Sequence, residues 1–303
     1  MNINTVCPIN QVIVYCGHKK SEVLGPYADS VAKRVTMFKQ LNFYREEIGR
    51  KPWKVREVPG ETLVEKLQKM KADETLLVIP AGQSSRLEQV FSVTQLAFLR
   101  GEFFEKGGRA YFTCGASYWV SRKRIYQEVC LDHPEKAVKL VKNSTFPIFQ
   151  GISVGPLCPF PGVKYKVGFY SDAVKVEAEG DRCTIYLSGG GSFMPDLDPI
   201  DGQRVRVLVR YPKKELLRLG IPEEEIVDKE KAAVMVSVGK GAALLSMFHP
   251  YYSSGDIDVE AYEKAFPDCG TDWRRVHAKL SSTDLRMRFV LNRMLIYLEE
   301  MSF

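Results

Sequence analysis

At 303 residues, with 45% hydrophobic and 26% charged residues, the chain has enough apolar material for a sizeable core, in one large domain or two. No run of about 18 apolar residues occurs, and Met1–Val6 lacks a charged stretch and an apolar stretch behind it, so neither a membrane span nor a secretory signal is read. The 43 basic and 37 acidic residues leave a net charge of +6, interspersed along the chain, which makes nucleic-acid binding a minor reading.

Gln11–Tyr15 is an apolar run closed by Cys16-Gly17-His18 and reads as a first buried strand. From Pro26 to Phe38 the apolar residues Tyr27, Val31, Val35 and Phe38 fall at helical spacing. Trp53–Val58 reads as a second strand and Glu61–Met70 as a short helix. Thr75–Ile79 is a third strand, ended by Pro80-Ala81-Gly82-Gln83. Leu87–Phe104 reads as one long amphipathic helix stopped by Gly107-Gly108. A fourth strand, Ala110–Thr113, runs into Cys114 and the small residues Gly115, Ala116 and Ser117, with a helical pattern after them. Strand and helix alternating over 120 residues predict right-handed βαβ units on a mostly parallel sheet, whose ligands bind beyond the carboxyl ends of the strands.

Beyond residue 145 the pattern changes. Phe146–Gly162 reads as a Pro- and Gly-rich loop, and Lys164–Phe169, Ala173–Glu177 and Cys183–Leu187 as short strands, the last two joined at Glu179-Gly180-Asp181. A glycine triplet, Gly189–Gly191, follows. Arg204–Tyr211 alternates valine with arginine, predicting a strand with one wet face, and residues 213–231 read as a charged surface excursion. Ala232–Val238 and Ala242–Phe248 flank Gly239-Lys240-Gly241 as a hairpin ending on His249-Pro250. Helices are expected near Val259–Ala265 and over Thr283–Glu300, the latter capped by Ser282 and carrying Leu285, Phe289, Met294, Leu295 and Leu298 at helical spacing. The basic groups Arg122–Arg124 and Arg286, Arg288 and Arg293 read as solvated helix faces.

Chemistry points first to the cysteine turn. A strand that ends on a cysteine, followed by small residues and a helix, is how a nucleophile elbow reads, and a helix N-terminus behind the sulfur favours the thiolate. A buried structural cysteine has the same local sequence. Seven cysteines without CxxC pairs predict reduced thiols in a cytoplasmic setting, and neither a disulfide framework nor a metal site; no cofactor is expected. A nucleophilic cysteine needs a base. Of His18, His133, His249 and His277, His133 reads as a surface helix start, His277 lies in a charged helix, and His249 ends a buried strand.

Gln11–Gly17, Leu76–Gly82, Gly107–Trp119, Gly155-Pro156, Tyr186–Phe193 and Val236–Pro250 together resemble the class I glutamine amidotransferase-like domain at the N-terminus of fungal-type biotin-protein ligases. The resemblance spans roughly residues 10–252 and implies a flavodoxin-like α/β three-layer sandwich with added β-hairpins and C-terminal helices. Residues 1–252 would form the amidotransferase-like domain, with a β-rich insertion around 164–211, and 253–303 a helical extension packed on it. It implies Cys114 as nucleophile and His249 as base. The Gly82 turn and the Gly115 amide would hold the oxyanion, with Gln83, Tyr118, Gly190 and Tyr251 lining the pocket.

Two positions depart from the family pattern. Tyr251 stands where a glutamate orients the histidine, leaving Asp256 or Asp258 as nearby carboxylates, and Phe112 stands at the first glycine of the elbow. No Gly-Arg-Gly-Arg-like loop for a biotinyl-adenylate is read, so a complete biotin-protein ligase is not expected. Two readings stand: a Cys-dependent hydrolase or amidotransferase-like acyl transfer on a small molecule, and a catalytically inactive small-molecule-binding or regulatory module. Either allows a partner protein.

Overall fold

The computed structural model describes residues 8–17, 30–128, 138–157, 171–195, 202–265, 271–281 and 284–301. Its first strands are β1 (Gln11–Tyr15), β2 (Lys54–Val58), β3 (Thr75–Ile79) and β4 (Arg109–Thr113), interleaved with α1 (Ser30–Glu47), α2 (Leu63–Gln68), α3 (Ser84–Val90) and α4 (Val93–Phe98). After Cys114 come α5 (Gly115–Trp119), β5 (Ser121–Glu128), β6 (Val138–Asn143) and β7 (Phe149–Gly155). The antiparallel strands β8 (Ser171–Ala178) and β9 (Asp181–Ser188) follow, then β10 (Ser192–Met194) and β11 (Val205–Arg210). Two short helices, α6 (Lys213–Arg218) and α7 (Ile226–Lys229), lead into β12 (Lys231–Val238) and β13 (Gly241–Ser246). Helices α8 (Val259–Ala265), α9 (Trp273–Ser281) and α10 (Asp284–Glu300) complete the order.

Among the described residues the main sheet runs β2-β1-β3-β4-β13-β12-β11-β8-β9. Its parallel part, β2-β1-β3-β4-β13, has the flavodoxin-like strand order, with β13 parallel to β4 as the fifth strand. This is the α/β sandwich expected. β3 and β4 are buried along their whole length, as parallel strands covered on both faces require. Alternation along β1 divides the core: Val12 and Val14 face the side of α1, α9 and α10, while Ile13 and Tyr15 face the side of α2 and α3. A smaller sheet, β10-β7-β5-β6, stands beside it. Strands β8, β9 and β11 extend the main sheet itself, and α9 and α10 pack on β8 and β9.

Several expectations are corrected. The long helix over Leu87–Phe104 breaks at Phe91-Ser92, because Ser92 and Gln95 form a capping box that restarts the chain as α4, ending in a π-turn over Leu99–Phe104. The helix after Cys114 is a single turn. The chain then turns at Val120 into β5, so Arg122–Arg124 lie on a strand. Arg124 is buried against Glu88 at 2.8 Å, which removes it from any solvated basic face. The loop read over Phe146–Gly162 contains β7, whose alternating burial is a strand's. Residues 213–231 bury Leu216 and Ile226 through α6 and α7. In β11 a bulge breaks the expected alternation, so Leu208 and Val209 are both buried. Of the apolar residues at helical spacing on α10, Met294, Leu295 and Leu298 are buried and Phe289 is exposed. The turn at Glu179-Gly180 is as expected, with both residues at positive φ. His18, His133, Lys164–Phe169 and the Ser282 cap lie outside the described residues. No helix among the described residues is long and apolar enough to cross a membrane.

The end of α10 is fastened to α1 by charge. Arg45 and Glu299, each almost fully buried, pair at 2.9 Å; Arg50 reaches the same carboxylate at 2.6 Å, and the Trp53 indole donates to it. Removing one partner of such a pair leaves a buried charge uncompensated. Glu299→Ala is therefore expected to cost about 3–5 kcal/mol in urea-induced unfolding, with Glu300→Ala, which removes a half-exposed carboxylate, costing about 0–1 kcal/mol.

Candidate functional site

Because β4 and β13 are parallel, with Thr113 opposite Ser246, the segments that leave them emerge at the same edge of the sheet. Cys114 follows β4 directly, and its amide donates to the Ser246 carbonyl at 2.7 Å. Its backbone lies at φ 50°, ψ −114°, a strained conformation for a residue with a Cβ. The strain is held by close packing. A Cβ on Gly115 would stand 1.6 Å from the Gly82 carbonyl oxygen, and Ser117 donates to both Phe112 and Ser246 carbonyls at 3.1 and 3.0 Å. Phe112 at the expected glycine position is accommodated because its side chain turns into the core, against Trp119.

His249 lies three residues past the end of β13. Its amide donates to the Tyr186 carbonyl at 2.9 Å, an antiparallel bridge that draws the end of β9 back over the top of β13. That bridge delivers the Ser188 carbonyl to the site. The Cys114 thiol donates to this oxygen at 3.4 Å, and His249 Nε2 lies 3.4 Å from the same oxygen. On its other side His249 Nδ1 meets the Tyr251 hydroxyl at 2.7 Å. The imidazole is fully buried among Tyr186, Tyr251 and Tyr252.

These contacts fix the proton. A carbonyl only accepts, so the nitrogen facing Ser188 must carry hydrogen, and Nδ1 is then the acceptor of the Tyr251 hydroxyl. A base for Cys114 needs the opposite tautomer, with the Nε2 lone pair free. Burial also sets the charge. It raises the Cys114 thiol to about 12 despite the Gly115 amide and the nearby Arg34, and lowers His249 to about 3 against the Ser188 hydrogen bond. Burial thus favours the neutral form of both groups and works against a thiolate. The one-turn α5 does too little to reverse the cost of burial.

The other expected residues fall around this pair. Gly82 and Gly115 pack backbone to backbone, with the Gly82 carbonyl rather than an amide facing Gly115. The Gly115 amide is directed at the Cys114 sulfur. Gln83 caps α3 with its carbonyl and is exposed. The Tyr118 hydroxyl approaches the Gly189 carbonyl at 3.5 Å, and the Gly190 carbonyl accepts from the Leu157 amide at 2.7 Å. Neither aspartate replaces the missing carboxylate: Asp256 is held by Lys33 and Ser253 at 2.8 Å, and Asp258 caps α8 by accepting from Ala261.

Two groups escaped sequence reasoning. The Ser188 carbonyl is a backbone atom and carries no sequence signal. Arg34 does: it falls on the apolar stripe of α1 between Val31 and Phe38, and a charge on a buried stripe marks a site. The structure buries it completely. Its guanidinium lies over Tyr111 at 4.8 Å and Tyr251 at 4.1 Å and donates through Nη2 to the Thr113 hydroxyl. On the far side of Tyr251 a groove of about 360 Å³ opens between α1 and α10, lined by Lys33, Thr36, Ser253, Asp256 and Arg288.

The family model described as "Biotin-protein ligase, N terminal" matches residues 27–301. Biotin–protein ligase of Schizosaccharomyces pombe is 27% identical over 188 residues, covering 60% of this chain; the match spans about a quarter (26%) of that protein's length. Among solved structures, a glutamine amidotransferase from Thermotoga maritima aligns over 96% of this chain and 98% of its own at 12% identity and a TM-score of 0.48. A second glutamine amidotransferase aligns over 79% and 90% at 16% identity and a TM-score of 0.43.

Two outcomes check this geometry. Gly115→Ala is expected to destabilise the protein by at least about 1–3 kcal/mol in urea unfolding, because backbone meets backbone and neither side yields cheaply. His249 is depressed in the fold, so the stability it contributes is full above pH 6.5 and is lost as pH falls from there toward 3. His249→Gln is expected to flatten that part of the stability–pH profile measured by denaturant unfolding; an unchanged slope contradicts a buried neutral imidazole.

Proposed function

This chain belongs to the biotin-protein ligase N-terminal family, and we propose that it is a small-molecule-binding or regulatory module whose Cys114–His249 pair is catalytically silent. The observation that carries the reading is the shared Ser188 carbonyl. It holds the hydrogen of His249 on the nitrogen that shares this oxygen with the cysteine, so the pair lacks the base that acyl transfer requires. In a Ser-His-Asp protease, substituting the aspartate fixes the wrong tautomer and lowers turnover by about 10⁴-fold. Here the orienting carboxylate is absent as well, and the thiol is un-ionised.

The strained elbow favours the competing reading, a thiol-dependent hydrolase or amidotransferase-like acyl transfer. Cys114 has the backbone of a nucleophile turn, and such strain gathers at active sites. In that reading Cys114 attacks an amide carbonyl, His249 moves the proton, and the Gly115 amide faces the oxyanion. The biotin ligation named for the Schizosaccharomyces pombe relative is not part of either reading, since the match covers only a quarter of that protein.

Iodoacetamide labelling followed by peptide mass spectrometry separates the two. The silent-site reading expects Cys114 to be alkylated more slowly than the partly exposed Cys16 at neutral pH, and Cys114→Ser to retain every thermal shift produced by a pooled small-metabolite mixture. Preferential alkylation of Cys114, with turnover of an amide substrate lost in Cys114→Ser, would overturn it.

A further inference from the structure

Arg34 is a buried cation without a counter-charge. Its side chain is fully buried, no carboxylate pairs with it among the described residues, and its Nε and Nη1 atoms have no hydrogen-bond partner. Burying a guanidinium in this state costs several kcal/mol unless an anion joins it. The groups around it offer none. Tyr111 presents its ring, Tyr251 its ring and a hydroxyl in hydrogen-bonding reach, and Thr113 a hydroxyl, but none of these is an anion, and burial favours the neutral forms of Cys114 and His249. Lys33, the neighbouring cation on α1, is already paired with Asp256 at 2.8 Å.

We propose that Arg34 is the anchor for the carboxylate group of a small-molecule ligand, held beside Cys114 at the carboxyl edge of the sheet. This rests on the small-molecule-binding reading above and names the ligand's chemical class. Charge favours a monovalent anion at this position: one guanidinium balances one carboxylate, and Lys33, the nearest cation on α1, is already paired, while Arg288 lies in the groove wall and would face the rest of the ligand. Shape agrees, because the rings of Tyr111 and Tyr251 cover the guanidinium and leave its N–H edges, which match a planar carboxylate. The groove between α1 and α10 lies on the other side of Tyr251, whose ring covers Arg34, so a carboxylate entering from it reaches the guanidinium only when that ring moves aside. Its volume of about 360 Å³ suits a metabolite-sized body, and Lys33, Thr36, Gln40 and Ser253 line it with polar groups for the rest of the ligand.

The test uses sodium acetate as probe in thermal unfolding of the whole chain at neutral pH, with sodium chloride holding ionic strength. A saturable rise in Tm of roughly 2–4 °C is expected with acetate. It is expected to be absent with acetamide and with sodium sulfate at matched ionic strength, and lost in Arg34→Met. Without acetate, Arg34→Met is expected to melt no lower than wild type, since methionine keeps the stem and removes the uncompensated charge. Should that variant fail to fold, titration of wild type with ¹³C-labelled acetate by NMR decides: saturable broadening supports the proposal, and its absence overturns it. An equal acetate effect in Arg34→Met, or an equal effect of sulfate, also overturns it. So does an ultraviolet thiolate absorbance at neutral pH that disappears in Cys114→Ser, which would make Cys114 the counter-ion. A metabolite mixture that stabilises wild type and Arg34→Met alike leaves the binding module standing and ends the carboxylate assignment.

Discussion

The chemical state of the site follows from one backbone oxygen. The Ser188 carbonyl arrives from β9, a strand at the far edge of the sheet, because Tyr186 pairs with His249 and folds that edge over the ends of β4 and β13. Since it can only accept, both groups that face it must donate. The thiol keeps its hydrogen, Nε2 keeps its own, and Nδ1 turns its lone pair to the Tyr251 hydroxyl. Moving the proton into catalytic position would turn the Nε2 lone pair toward the Ser188 oxygen, two acceptors facing each other in a buried site, and would give up the hydrogen bond between them.

The elbow persists around this locked pair for reasons of packing. A positive-φ cysteine costs on the order of 1–3 kcal/mol, and such a conformation survives only where its surroundings over-determine it. Here they do. The Cys114 amide and the Ser117 hydroxyl both bind the end of β13, Tyr118 donates to the Cys114 carbonyl, and Gly115 lies flat against Gly82. None of these contacts involves the imidazole. The backbone of a nucleophile turn is thus maintained independently of the proton arrangement that would make it one, which is why fold alone says little about activity.

What the sequence shows and hides divides along the same line. The strands β1, β3, β4 and β13, which run parallel, and β12, antiparallel beside β13, are apolar runs bounded by Gly, Pro or charged residues, because central strands are buried on both faces; their place, and the edge the parallel ones share, were legible. Strands β5 and β6 were not. Their arginines and lysines have a helix face's composition, and only Arg124's pairing with Glu88 makes one of them a buried strand residue. The break before α4 was written as Ser92-Val-Thr-Gln95, but the apolar spacing ran through it. At the site, Cys114 and His249 stand out as rare reactive residues at strand ends, and the Tyr251 departure is visible as a residue type. A carbonyl oxygen belongs to every residue, so the atom that decides the tautomer was invisible until β9 was placed.

Arg34 and Tyr251 explain together why the missing carboxylate is not a single-residue loss. An acid at position 251 would stand beside a guanidinium now 4.1 Å from the tyrosine ring, and two unit charges at about 4 Å attract by roughly 4 kcal/mol at an effective dielectric constant of 20. A hydrogen bond from a neutral imidazole to a carboxylate contributes about 1.5–3 kcal/mol. The acid would therefore pair with Arg34 before it oriented His249. The tyrosine avoids this competition: it satisfies Nδ1 with its hydroxyl, covers Arg34 with its ring, and leaves the guanidinium's charge for an anion from outside the chain.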